Sequence, residues 1–187
     1  MSRQSNTGRL VRLSLLAAAA LIIFVLEAQI PPIIPYIPGM KIGLANIITL
    51  FLLATHSRRE AFMVLIVRII LGSFFAGQMA ALMYSLAGGM LSFAAMCVVM
   101  KLAGKEHLWF IGVTGGVFHN IGQIIAARIL MQTAAVYAYI PYLILFGITA
   151  GLFCGLCSQL LVRHFRRIFC SGTGDTKKPC LFPFYAV

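Results

Sequence analysis

The segment His56-Ser57-Arg58-Arg59-Glu60-Ala61-Phe62-Met63-Val64-Leu65-Ile66-Val67-Arg68-Ile69-Ile70-Leu71-Gly72 sets three charges at the head of an apolar run and a fourth inside it. A run of this kind suits lipid, where about 20 apolar residues in a helix cross the roughly 30 Å hydrocarbon core. Outward in both directions the same alternation recurs. Apolar runs fall at about 10–29, 41–55, 61–77, 78–101, 108–132 and 138–162, separated by polar or proline-rich gaps. The pattern predicts an all-α integral membrane protein with six transmembrane helices. The second run is short for a full crossing unless the connection before it, Pro31-Pro32-Ile33-Ile34-Pro35-Tyr36-Ile37-Pro38-Gly39, dips into the membrane. Its four prolines rule out a continuous helix there.

Basic residues orient the six helices. Three precede or open the first run, two lie at Arg58-Arg59, two at Lys101 and Lys105, and five follow the last run, so that twelve of the fifteen Lys and Arg fall on one side. Positive loops face the cytoplasm. Both termini are therefore expected there, in a multi-pass protein of a bacterial cytoplasmic membrane. The expected organisation is a cytoplasmic N-terminal segment at 1–9, a six-helix domain at 10–167 and a flexible cytoplasmic tail at 168–187. A basic start before an apolar stretch also describes a signal peptide. The first run is long for a signal core, and Leu26-Glu27-Ala28 lacks a small first residue for cleavage, so a retained helix is expected.

Composition narrows the function. With 61% hydrophobic and 10% charged residues, the chain is far from the roughly 25% charge of soluble domains. Its net charge of +11 reflects membrane topology, with no basic face interleaved with aromatics for nucleic acid. No paired carboxylates or aspartate-rich magnesium motif occurs; the one aspartate is Asp175, in the tail. A hard cation such as Mg²⁺ wants oxygen ligands. With no phosphate-binding loop either, the chain is expected to be neither an enzyme nor an ATP motor, and to need no cofactor or metal. Cys154-x-x-Cys157 has half of a metal or redox spacing but no second pair, and reads as small packing residues.

The three remaining cations, Lys41, Arg68 and Arg128, lie in or beside apolar runs. A cation at a helix centre costs about 2.5–3.5 kcal/mol on insertion scales and points to function. Arg68, near mid-span, needs an acidic partner, water or an anionic ligand. Glu27 is the one acid expected on its side, so either Arg68 and Glu27 form a structural ion pair, or a positive surplus binds an anion. Arg128 shares the fifth run with His119, Asn120 and Gln123; eight residues separate Asn120 from Arg128, about 80° around a helix, so both can line one broad face. Lys41, with Asn46 beyond it, stands at the rim, placed to steer an anion. Gly147-x-x-x-Gly151-x-x-x-Gly155 is a small-residue ridge for helix packing.

Pro38-Gly39-Met40-Lys41-Ile42-Gly43-Leu44-Ala45-Asn46, Arg68-Ile69-Ile70-Leu71-Gly72, Ala87-Gly88-Gly89-Met90-Leu91-Ser92 and His119-Asn120-Ile121-Gly122-Gln123 together resemble the Gx transporter family. Members of that family are often labelled heptaprenyl diphosphate synthase component I. The resemblance covers about residues 10–167 and extends in size and span number to the S components of energy-coupling-factor transporters. It implies a six-helix domain that takes a small molecule from outside, partnered by a transmembrane coupling subunit and ATPases. The expected function is S-component-like uptake of a small anionic or phosphorylated substrate: a vitamin, flavin or isoprenoid precursor. Arg68 and Arg128 would bind the anion, Asn46, His119, Asn120 and Gln123 would orient it, and Lys41 would act at the mouth. The alternative is a non-catalytic accessory subunit for polyprenyl (heptaprenyl) diphosphate synthesis or quinone- or flavin-linked electron transfer. Membrane lipids surround the protein in either case.

Overall fold

The structure is a computed structural model that describes residues 2–29, 41–77 and 79–171. Those residues form six α-helices and no strand: α1 (Ser2–Ala28), α2 (Asn46–Thr55), α3 (Arg58–Ala76), α4 (Met79–Ala103), α5 (Leu108–Met131) and α6 (Ile140–Ser171), with a short 3-10 helix at Ala134–Tyr139. The proline-rich connection, Gln78 and residues 172–187 of the expected tail lie outside the described residues.

Helix boundaries follow local chemistry. Ser57 caps α3 reciprocally with Glu60: Glu60 N donates to Ser57 Oγ at 3.3 Å, and Ser57 N donates to Glu60 Oε2 at 3.0 Å. Gly77 ends α3 in the left-handed conformation, with φ 65°. The second helix differs from expectation. It starts at Asn46 instead of Lys41, because Gly43 takes φ +88° and the chain turns there. At 10 residues, α2 is about 15 Å long, half of the hydrocarbon core. Helix α6 runs nine residues past the expected end at Val162. Four described segments, in α1, α4, α5 and at Ala134–Phe165, are long and apolar enough to cross a membrane. The shorter α2 and the charged α3 do not join them.

Backbone contact governs the packing of α4, α5 and α6. The ridge on α6 lies against glycines of α5: a Cβ added at Gly112 would stand 2.5 Å from Gly151 O, and one at Gly151 would stand 2.7 Å from Val113 Cα. Gly122 of α5 meets α4 in the same way, 2.6 Å from Ala87 O. The ridge thus joins helices within the chain. Leu15, Ile22, Met63, Phe74, Leu145 and Leu160 are exposed on the outside of the bundle, an apolar surface too extensive for water and suited to lipid.

Helix α1 is fastened to α3 at the polar turn. Arg9 Nε donates to Glu60 Oε1, and Ser57 Oγ donates to Glu60 Oε2 at 2.7 Å. The hydrogen bond from Arg9 is the chief reason that the Glu60 carboxyl is held down at about 2. A depressed carboxylate stabilises the fold above its ordinary range, and the contribution fades as pH falls towards 2. Thermal unfolding at pH 7 and pH 3 should therefore show a loss of stability at the lower pH that Glu60→Gln diminishes. Ser57→Ala should cost about 1 kcal/mol at pH 7 in the same assay.

Candidate functional site

Four helices and the segment leading into α2 converge on one small cavity. Its walls include Phe24 and Glu27 of α1, Lys41 and Gly43 of the segment, Arg68 of α3, Ser85 of α4 and His119 of α5. About 10 Å³ within it can be reached by the centre of a water molecule, the scale of a single water. The cavity is deep. Arg68 lies ten residues past Arg58 and Asn46 nine before Thr55, each about 14–15 Å along its helix from the polar turn.

Arg68 is 3% exposed. Its Nη2 donates to Asn46 Oδ1 at 3.4 Å, and Asn46 Nδ2 donates in turn to Ser92 Oγ at 3.4 Å. Arg68 Nε and Nη1 have no hydrogen-bond partner. The Glu27 carboxylate accepts the N–H of Gly43, and among the described residues no ion pair within 4.0 Å joins it to Arg68 or Lys41. Lys41 is buried, its Nζ 3.4 Å from the centre of the Phe24 ring in a cation–π contact. It forms part of the cavity wall, whereas the sequence reading set it at a mouth. Gln123 is fully buried, and its Nε2 lies 3.0 Å from His119 Nε2, an arrangement in which the amide donates to the imidazole. Its Oε1 has no partner.

Gly43 is the hinge of this arrangement. Its positive φ disfavours any side chain, and a Cβ would fall 2.8 Å from His119 Cδ2 and 3.2 Å from Asn46 Nδ2. Gly43→Ala should displace both residues and lower the melting temperature, with about 1–2 kcal/mol arising from the backbone alone. A thermal melt of the purified variant checks this.

The structure therefore gathers Glu27, Lys41, Asn46, Arg68, His119 and Gln123, and leaves two expected residues elsewhere. Asn120 turns to α6, where its Nδ2 donates to Leu143 O at 2.7 Å. Arg128 is half-buried in the last turn of α5. It lies nine residues beyond His119, about 13 Å along the helix, and is not on the cavity wall. An 80° arc is broad enough to face two neighbours, and α6 takes the Asn120 side. Phe24, Gly43, Ser85 and Ser92 belong to the site and were missed. Phe24 stands one turn before Glu27, and Ser85 and Ser92 are seven apart on one face of α4. Cys154 serves as a packing residue, its thiol donating to the carbonyls of Gly43 and Leu44 at 3.9 Å. No group of three metal-ligating side chains occurs among the described residues.

The arrangement can do one thing well. Two cations face one carboxylate, and a guanidinium, which stays charged in proteins, has donors to spare. An acceptor-rich anion would fill that vacancy in hydrogen bonding. Neither a curated protein nor a solved structure matches the chain. A family model does: the model described as heptaprenyl diphosphate synthase component I matches residues 16–161, from α1 into α6 and across every side chain around the cavity, and the chain belongs to that family.

Proposed function

We propose that the protein is a non-catalytic membrane subunit that accompanies polyprenyl diphosphate synthesis and holds a small phosphorylated or otherwise anionic compound around Arg68. The observation that carries the reading is the buried guanidinium with two unpartnered donors and, among the described residues, no carboxylate within ion-pair distance. The family's description as component I of a synthase supports a partner component. The chain's one aspartate is Asp175, so carboxylate-held magnesium chemistry falls to that partner. All six helices belong to the membrane domain, with α2 reaching only to mid-depth. Both termini face the cytoplasm of a bacterial cell membrane, by the distribution of Lys and Arg.

The depth of the cationic cavity favours a second reading, S-component-like transport, in which the same residues capture an anion and a transmembrane coupling subunit with ATPases drives its passage. Gentle extraction followed by mass spectrometry of co-purifying proteins and small molecules separates the two. The first reading expects a prenyl synthase and one stoichiometric anion, with Arg68→Ala losing the anion and keeping the synthase. Recovery of a coupling subunit and ATPases would replace it with transport. Recovery of neither partner nor anion would sink both.

A further inference from the structure

A second, larger concavity of about 660 Å³ lies between α2 and α6, within the size range of small-molecule sites. Its upper part is apolar, made by Ile47 of α2 with Cys157, Leu160 and Leu161 of α6. Its lower end is basic, made by Arg163, His164 and Arg167. The two helices are held in register beside it. Ser158 Oγ donates to Ile47 O at 2.8 Å, and the Phe51 and Phe165 rings meet with centroids 5.5 Å apart. Both helices descend towards the polar turn, so the apolar part sits at membrane depth and the cations at the boundary. Arg163 and Arg167 are exposed, one turn apart, and neither forms an ion pair among the described residues.

Length and charge identify the occupant. The apolar part follows α6 from Cys157 to Leu161, four residues or about 6 Å, and the basic foot begins at Arg163, a depth that seats a head group and the first methylenes of its chain. Leu160, 63% exposed, leaves the apolar part open to the bilayer, so a chain can enter sideways. Two guanidiniums at the foot match a phosphate, and the planar fork of arginine can engage it through two hydrogen bonds. Basic pockets between membrane helices on the cytoplasmic side take lipid head groups by this chemistry. We propose that the groove binds one anionic phospholipid, its phosphate held by Arg163 and Arg167 and one acyl chain lying along Leu160 and Leu161. The assignment rests on the proposed orientation only for the leaflet: the cytoplasmic one.

The test is native mass spectrometry of the full chain in neutral detergent, titrated with phosphatidylglycerol or phosphatidylcholine. The wild type should retain one phosphatidylglycerol in preference to phosphatidylcholine. The double variant Arg163→Gln/Arg167→Gln should bind it about 30-fold more weakly. Leu161→Trp, which fills the groove and keeps both arginines, should also lose it, whereas Arg68→Gln should retain it. Equal retention of the two lipids, or an unchanged double variant, would overturn the proposal. Loss in Arg68→Gln would assign the lipid to the cavity instead, and displacement by inorganic diphosphate would assign the groove to a soluble phosphate compound. Failure of the Arg68 reading leaves these outcomes unchanged, because among the described residues the groove shares no side chain with the cavity wall.

Discussion

Arg68→Gln should leave the protein folded in the membrane and weaken its hold on a small anion about 30-fold or more. Removing one member of a buried, hydrogen-bonded charge pair costs about 2–5 kcal/mol of binding, and each 1.4 kcal/mol is about tenfold. The stability of the ligand-free protein should move the other way. A buried guanidinium with two donors unpartnered carries a desolvation cost that its one hydrogen bond to Asn46 offsets only in part, and replacing buried charged groups with well-packed apolar ones is often neutral or stabilising. Arg68→Met, similar in volume, should therefore melt at or above the wild type without ligand, and anion should stabilise the wild type and not this variant. A large drop in melting temperature would instead mean a structural role for Arg68. Glu27→Gln adds a further discriminant. Glutamine can still accept from Gly43 N–H, so the fold should survive, and loss of the one nearby negative charge should raise anion affinity. Isothermal titration with inorganic phosphate reads the affinities of all four proteins, and thermal melts with and without phosphate read their stabilities.

Gly151→Leu should be the most damaging single change in the bundle. The added carbons would meet Gly112 O at 2.5 Å and Val113 Cα at 2.7 Å, and both are backbone atoms that cannot rotate aside. Overpacking a well-fitted core costs about 1–3 kcal/mol and sometimes more; here α5 and α6 must separate along the ridge. The expected loss is about 3 kcal/mol, with little protein recovered folded. Gly151→Ala should fall between, and Phe153→Leu, two residues on and exposed on the other side of the helix, should stay within about 0.5 kcal/mol. Trp109, the chain's one tryptophan, lies against Gly155 on the same seam. That contact is through its backbone, and the residue is 43% exposed, so thermal unfolding is followed by circular dichroism. Because α5 carries His119 and Gln123, phosphate affinity should decline along with stability in the leucine variant.

Much of this fold was legible because lipid imposes a simple rule: charge gathers where helices end. His56 to Glu60 and Lys101 to His107 marked the termini of α2, α3, α4 and α5 to within a few residues. The rule fails where the chain stops being helical without becoming polar. Lys41 to Ala45 is largely apolar, so nothing in its hydropathy announced that α2 would wait until Asn46; the signal was Gly43, which only a positive φ explains. The site was legible in proportion to charge. Arg68, Glu27 and Lys41 are conspicuous in an apolar chain, while Ser85, Ser92 and Phe24 look like ordinary packing until three-dimensional neighbours are known. Asn120 shows the limit of helical angles: they give the direction of a side chain but not which neighbour occupies it.

The seam of glycines has a mechanical consequence. Where backbone rests on backbone, as α5 does on α4 and α6, neither helix can tilt without collision, and the three behave as a slab. The contacts of α3 are of another kind: Gly72 faces the Phe24 ring, and Gly89 faces the side-chain tips of Ile69 and Leu65, all of which can change rotamer. A cavity now the size of one water can widen only on its compliant side. Entry of the proposed anion would therefore be a movement of the α1–α3 pair, pinned at its foot by Arg9 and Glu60, against the wall that bears His119 and Gln123. Amide hydrogen exchange should find that asymmetry as faster opening in α3 than in α5.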